Sequence, residues 1–278
     1  MQTISILGSG LMGSSLGLAL RKRNVPVRIH AYARRQETRE AALNLGIADA
    51  VFADPAEAVR GADIVVLCVP VLTIPELAKA CRAGLKSGAI LTDVGSTKEE
   101  LNRLMICALE GMNVEFIGSH PICGSEQQGI EAGNADLYAG AVTVVTPPML
   151  AAEASIEKVS SLWKSAGSLV TVMDATLHDR ILAATSHLPH VVAAALVLSA
   201  GDNGLFCGSG FRDTTRVAEG SPQVWSDIVR TNTPALKAAL STFRGQLDAL
   251  SALIEEGDGE KLANWFAAAR DKRKELLS

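Results

Sequence analysis

Three observations predict an α/β protein, a doubly wound and mainly parallel sheet domain followed by an all-helical one. Short apolar, β-rich runs alternate with helical patterns through residue 174. A glycine-rich turn joins the first of these runs to the first helical pattern. From residue 175 to 278 the chain offers long Ala- and Leu-rich segments and no further strand. The expected domains are therefore 1–174 and 175–278.

The strand-like runs are 3–7, 27–32, 63–69, 89–94, 115–117, 141–146 and 169–173. IVVLCV, 64–69, is apolar at consecutive positions, as expected for a strand covered on both faces by helices. In the second half, helices are expected over 177–198, 234–254 and 259–277, with Pro189 kinking or dividing the first. The passage at 174 reads as a direct turn from strand to helix, without a flexible linker.

The totals narrow the function. Hydrophobic residues make up 48% of the chain and the mean hydropathy is +0.22, so much apolar surface must be hidden, part of it between subunits. A formal charge of −4 with scattered Lys and Arg provides no basic field for nucleic acid or an acidic membrane. Five cysteines, Cys68, Cys81, Cys107, Cys123 and Cys207, form no CxxC pair, which fits a reducing, cytoplasmic setting. The first basic residues, Arg21 and Lys22, follow the N-terminal apolar stretch, the reverse of a signal peptide. Residues 181–201 carry no Lys, Arg, Asp or Glu. Two histidines, a threonine, two serines and a proline interrupt them, so a buried helix is expected there and not a membrane span.

ISILGSGLMG places Gly8, Gly10 and Gly13 in GxGxxG register between a strand and a helix, the context that makes this motif specific. The first glycine allows the tight turn, the second lets backbone approach a pyrophosphate, and the third permits close helix–strand packing. Gly8, Ser9, Gly10, Leu11, Met12 and Gly13 are the expected dinucleotide contacts, with helix-start N–H groups facing phosphate. Where NAD-binding chains carry an acid at the end of the second strand, this one has Ala33, followed by Arg34 and Arg35. Guanidinium groups suit a 2′-phosphate, so NADP is the expected cofactor, with NAD less favoured.

Two further segments reach the crevice side of such a sheet. ILTDVGSTK places Ser96 past the end of one strand, and GSHPICG places His120 in a loop past another. A loop has no structural need for an imidazole. A dehydrogenase that oxidises an alcohol must take a proton from the hydroxyl, and histidine has the pKa range for it. Ser96 is placed to bond the same hydroxyl or to orient the imidazole. The helical half adds His187 and His190 in TSHLPH, and Arg212, Asp213 and Arg216 in GFRDTTRVA. An arginine brought to the crevice clamps a carboxylate with two parallel hydrogen bonds. Neither the paired histidines nor His120 with Cys123 has an acidic partner or a zinc signature, so no metal is expected.

The ordered set GxGxxG, DVGSTK, GSHPICGSEQQG, LHDRILAATSHLPH and GFRDTTRVA resembles that of the prephenate and arogenate (cyclohexadienyl) dehydrogenases over nearly the whole chain. The resemblance implies a Rossmann domain, an all-α dimerisation domain, a homodimer, and oxidative decarboxylation of a cyclohexadienyl carboxylate to an aromatic product. It implies that His120 accepts the ring 4-hydroxyl proton beside Ser96, and that Arg216 binds substrate carboxylate with Asp213 nearby. It places His190 and His187 near the substrate side chain and Ser125 facing the substrate. Cys123 stands where a small apolar residue is common, with little consequence expected. Glu126 either attracts an ammonium group, favouring arogenate, or pairs with Arg216 as a gate.

Two rival readings share the fold. A 3-hydroxyacid dehydrogenase would use a helical catalytic lysine, but Lys164 in WKSAG precedes the last strand in a polar helix end. A non-catalytic NADP-binding sensor would have no reason to gather Ser96, His120 and Arg216.

Overall fold

A computed structural model describes residues 1–125 and 127–277. Six strands, β1 (Gln2–Leu7), β2 (Val27–Tyr32), β3 (Ala50–Phe52), β4 (Ile64–Leu67), β5 (Ile90–Asp93) and β6 (Glu115–Phe116), form a parallel sheet in the order β3-β2-β1-β4-β5-β6. Alternation of side chains feeds two cores. Ile4, Ile6, Ile29, Ile64 and Val66 face one, while Leu7, Val65, Leu67 and Leu91 face the other. The order reverses between β1 and β4, which puts the ligand crevice beyond the C-terminal ends of those strands.

A second sheet contains β7 (Gly118–Pro121), β8 (Val142–Thr146) and β9 (Leu169–Val172), with β7 antiparallel to β8 and β8 parallel to β9. His120 is therefore not in a loop, as expected from GSHPICG, but in a strand opposite Val144. Strand β7 is buried at all four positions, and hydrogen bonds to the neighbouring β5 anchor Ser119. Its small and polar residues lack the apolar alternation that announces a strand. The three-residue β3 was likewise not expected, being short and followed at once by turn residues.

The chain divides into two compact units, Met1–Thr233 and Pro234–Ser278. The second consists of the helices Thr233–Glu256 and Gly259–Leu277. In the first, Asp174 caps the helix Ala175–Leu182 by accepting from the Thr176 and Leu177 N–H groups at 2.8 and 3.1 Å, so β9 passes directly into it. A π-helical turn, Ala183–His187, leads into Leu188–Ser199. Pro189 lacks an N–H and crowds the preceding turn, which accounts for the widened helix at this point.

The helix over 175–199 is long and apolar enough to cross a membrane by length and composition alone. The burial expected of it is not found within the chain. Leu182, Ala183, His187 and Ala193 face inward, but Leu196, Val197 and Leu198 are exposed, Leu198 at 85%. Being apolar nearly all round, this helix covers only one face with its own chain.

Candidate active site

The glycine loop has the shape a dinucleotide requires. Gly8 sits at φ +111°, a region that L side chains rarely adopt, and a Cβ there would overlap the Cys68 carbonyl just past β4. A Cβ on Gly13 would overlap the Gly8 carbonyl, whereas one on Gly10 would meet nothing within 4 Å. The open space thus lies in front of Gly10, at the start of the helix Leu11–Lys22. No side chain caps this helix start, which leaves N–H groups for an anion. Ser9 Oγ beside them is buried and, among the described residues, has no hydrogen-bond partner. The residues present fit a pyrophosphate.

Gly10, Leu11 and Met12 also line a cleft of about 770 Å³ that includes Ser96, His120, Ser125, His187, His190 and Arg216. Sheet-side and helix-side candidates therefore open onto one cavity. Gly8, Ser9 and Gly13 do not line it, and neither does the exposed Asp213. Glu126 lies outside the described residues. Arg34 and Arg35 are exposed between β2 and the helix Gln36–Asn44 and do not line the cleft. Arg39 donates to the carbonyls of Ala33 and Arg34 at 2.9 and 2.8 Å, fixing the turn that carries them. Lys164 is exposed on the helix Glu153–Ala166, away from the cleft.

His120 is 9% exposed. Its Nδ1 lies 2.9 Å from His178 Nε2, and His178 Nδ1 lies 2.7 Å from Asp179 Oδ1. The imidazole is thus oriented by His178, not by Ser96 as one expectation had it. Burial pushes the His120 pKa well below 6.5, and the neighbouring His178, Lys98 and His187 push it the same way. The ring is neutral at physiological pH.

The segment between Asp93 and Lys98 is tied down from beneath. The Asp93 carboxylate accepts from Gly95 N–H at 2.7 Å and Ser119 N–H at 2.9 Å and pairs with the Lys98 ammonium, both side chains being wholly buried. Lys98 Nζ also donates to the Ser119 carbonyl at 2.8 Å. Burial lowers the Lys98 pKa, against the pull of Asp93. This pair joins the turn carrying Ser96 to the strand carrying His120.

On the helical side, burial pushes His187 down to about 4, with His178 and His190 assisting and Asp179 opposing. His190 stacks on Trp225 with ring centroids 3.5 Å apart. Its Nδ1 donates to the Ser186 carbonyl at 3.2 Å, leaving Nε2 as an acceptor. Burial lowers its pKa, and Arg216 adds to the effect. Arg216 begins a short 3-10 turn, Arg216–Glu219, after the helix Ser209–Thr215, and is exposed. Ser125 accepts from the Gln127 N–H at 3.2 Å. Cys123 reaches the cleft as a thiol, since burial pushes its pKa up to about 11.

Sequence reasoning missed His178, Asp179, Asn232, Trp225 and the Asp93–Lys98 pair. One signal was available: adjacent His and Asp in LHDR precede a long segment without charged residues, and polar side chains buried there need partners. Nothing local in the sequence marks Asn232 or Trp225.

Strand order, glycine loop and cleft define a pyridine-nucleotide-dependent oxidoreductase. The nucleotide-binding domain model of prephenate dehydrogenase matches residues 16–172 and its dimerization domain model matches 174–268. Cyclohexadienyl dehydrogenase of Zymomonas mobilis is 34% identical over 97% of this chain and 94% of its own. The prephenate dehydrogenase of Aquifex aeolicus, solved with hydroxyphenyl propionate and NAD+, superposes with a TM-score of 0.93 at 33% identity, covering 99% of this chain and 98% of that one. Synechocystis arogenate dehydrogenase gives 0.85 at 29%, covering 99% and 100%. The chain belongs to the prephenate dehydrogenase family, enzymes of aromatic amino acid biosynthesis.

Proposed function

We propose that this chain carries out the NADP-dependent oxidative decarboxylation of prephenate, arogenate or both, giving 4-hydroxyphenylpyruvate or tyrosine. The observation that carries this reading is the opening of His120 and Arg216 onto the one cleft that begins at Gly10. The bound nucleotide supplies the hydride acceptor for the substrate C4–H. His120 takes the proton of the 4-hydroxyl, and Ser96 holds that oxygen. The electron pair released as the C–C bond to carbon dioxide breaks completes the aromatic ring as a phenolate, which takes the proton back from His120. Arg216 grips a carboxylate, and the Trp225–His190 stack forms a flat wall for the ring.

Arg216→Ala is expected to raise substrate KM roughly ten- to a hundredfold, the loss of a charge-assisted clamp, with a smaller effect on kcat. Steady-state assays with both substrates, following the reduced nucleotide, check this and test the function itself. Absence of turnover with either substrate would refute the activity. If kcat falls and KM is unchanged, Arg216 is not the clamp.

Arg34 and Arg35, held on the turn that Arg39 braces, support the NADP preference. Replacing both with alanine is expected to cut the NADP-to-NAD affinity ratio about tenfold or more. Fluorescence titration of each nucleotide measures it, and an unchanged ratio removes the assignment. The exposed apolar face of the helix over 175–199 and the dimerization-domain match support a homodimer. Sedimentation tests that, a monomer at micromolar concentration being the contrary result. Five free cysteines support a cytoplasmic setting. The domain boundary at 174 is retained in this reading, supported by the Asp174 cap and by matches that meet there.

A further inference from the structure

Asp179 is 1% exposed and is linked to two of the three cleft imidazoles, to His120 through His178 and to His187 through Asn232. Its carboxylate oxygens can only accept. Oδ1 takes the Lys98 N–H at 2.8 Å and faces His178 Nδ1 at 2.7 Å, and Oδ2 takes the Glu99 N–H at 3.0 Å. Opposite a carboxylate, a neutral His178 carries its proton on Nδ1 and presents a lone pair at Nε2. His120 Nδ1, 2.9 Å away, must then be the N–H, which leaves His120 Nε2 bare.

A second arm leaves the backbone of the same residue. The Asp179 carbonyl accepts from Asn232 Nδ2 at 2.8 Å, which identifies that atom as the amide NH2. An NH2 group has only hydrogens to offer His187 Nδ1, which lies 3.1 Å away. His187 Nδ1 is therefore an acceptor and the ring proton sits on Nε2. That N–H belongs to a ring 1% exposed in the cleft wall and, among the described residues, meets no partner at full hydrogen-bond geometry. The Ser96 backbone also acts on the ring as a hydrogen-bond acceptor and favours its protonated form. A buried donor of this kind is costly unless a ligand oxygen satisfies it.

We propose that Asp179 is a positioning residue that presets two of the cleft histidines, His120 and His187, in opposite tautomers. Through His178 it makes His120 a proton acceptor. Through Asn232 it makes His187 a donor to a substrate carboxylate oxygen. This rests on the reading of His120 as the base and adds what prepares it. Ordinary packing of buried polar groups would also hold these rings, but it would not require opposite tautomers.

Long-range proton–nitrogen correlation spectra of the full-length, nucleotide-bound protein, with rings assigned by single His→Asn variants, read the tautomers directly. The expected result at neutral pH is His120 protonated on Nδ1 and His187 on Nε2, and either reversed assignment overturns the proposal. Asp179→Asn should scramble the His120 tautomer and lower kcat about a hundredfold or more, with nucleotide affinity unchanged. His178→Gln, which can still accept from His120 and donate to Asp179, should retain more turnover than His178→Leu, and Asn232→Leu should raise KM. Equal losses in the two His178 variants, or a normal tautomer and kcat in Asp179→Asn, count against it. Should these variants not fold, the parent spectra alone decide. Expected tautomers together with normal turnover in His120→Asn would refute the base reading while leaving the positioning inference intact.

Discussion

His120→Asn is expected to lower kcat by about a hundredfold or more while nucleotide affinity and substrate KM stay close to the parent values. Asparagine preserves a polar side chain of similar reach, so the 9% exposed site on β7 neither collapses nor gains a charge. In the proposed mechanism it removes the function that requires an imidazole, acceptance of the 4-hydroxyl proton as C4 is oxidised. The parent pH profile gives an independent check. A base must be deprotonated to act, and burial holds His120 well below its usual 6.5. Acidification should therefore leave kcat/KM unaffected by this group through 6.5, with the loss appearing only well below it. Stopped-time assays across a pH series read this. An acid limb centred at 6.5 in the parent, or normal turnover in the variant, removes His120 as the base.

How far the sequence could reveal this site depended on the kind of signal each part left. Strand β4, IVVL, is announced by consecutive apolar residues, because helices cover both faces of the sheet, while β1 and β2 show apolar residues at alternate positions. The glycine loop is legible because steric contact with the Cys68 and Gly8 carbonyls leaves no room for a Cβ. Strand β7 was hidden, since its residues are held by hydrogen bonds to β5 and β8 and not by apolar alternation. His120, Ser96 and Arg216 could be named individually from their residue types and motifs, but their supports could not. His178 lies 58 positions from His120, and Asn232 lies 45 from His187. Contacts of that range are set by how the helices pack on the sheet, which no local pattern encodes. The helix over 175–199 shows the opposite error. Its apolar composition leads to the expectation of a buried helix, but Leu196, Val197 and Leu198 are exposed on the chain.

Lys98→Met should be the most destabilising single change near the site, at roughly 3–5 kcal/mol. Methionine matches the length of the lysine stem and packs in the same space, so little of the loss comes from a cavity. The cost is electrostatic. Asp93 keeps the Gly95 and Ser119 N–H groups, but its charge stays wholly buried without the ammonium that neutralises it. The Ser119 carbonyl loses its donor as well. Adding Asp93→Asn to Lys98→Met removes the stranded charge and leaves an amide oxygen to accept from the backbone, so the double variant should recover part of the loss. Urea denaturation of the three proteins measures this through the midpoint at constant slope. Turnover should fall too, because the pair joins the Ser96 turn to the strand that holds His120. A loss below about 1 kcal/mol, or a double variant less stable than Lys98→Met, would mean that the buried carboxylate is neutralised from elsewhere, and the turn would then need another anchor.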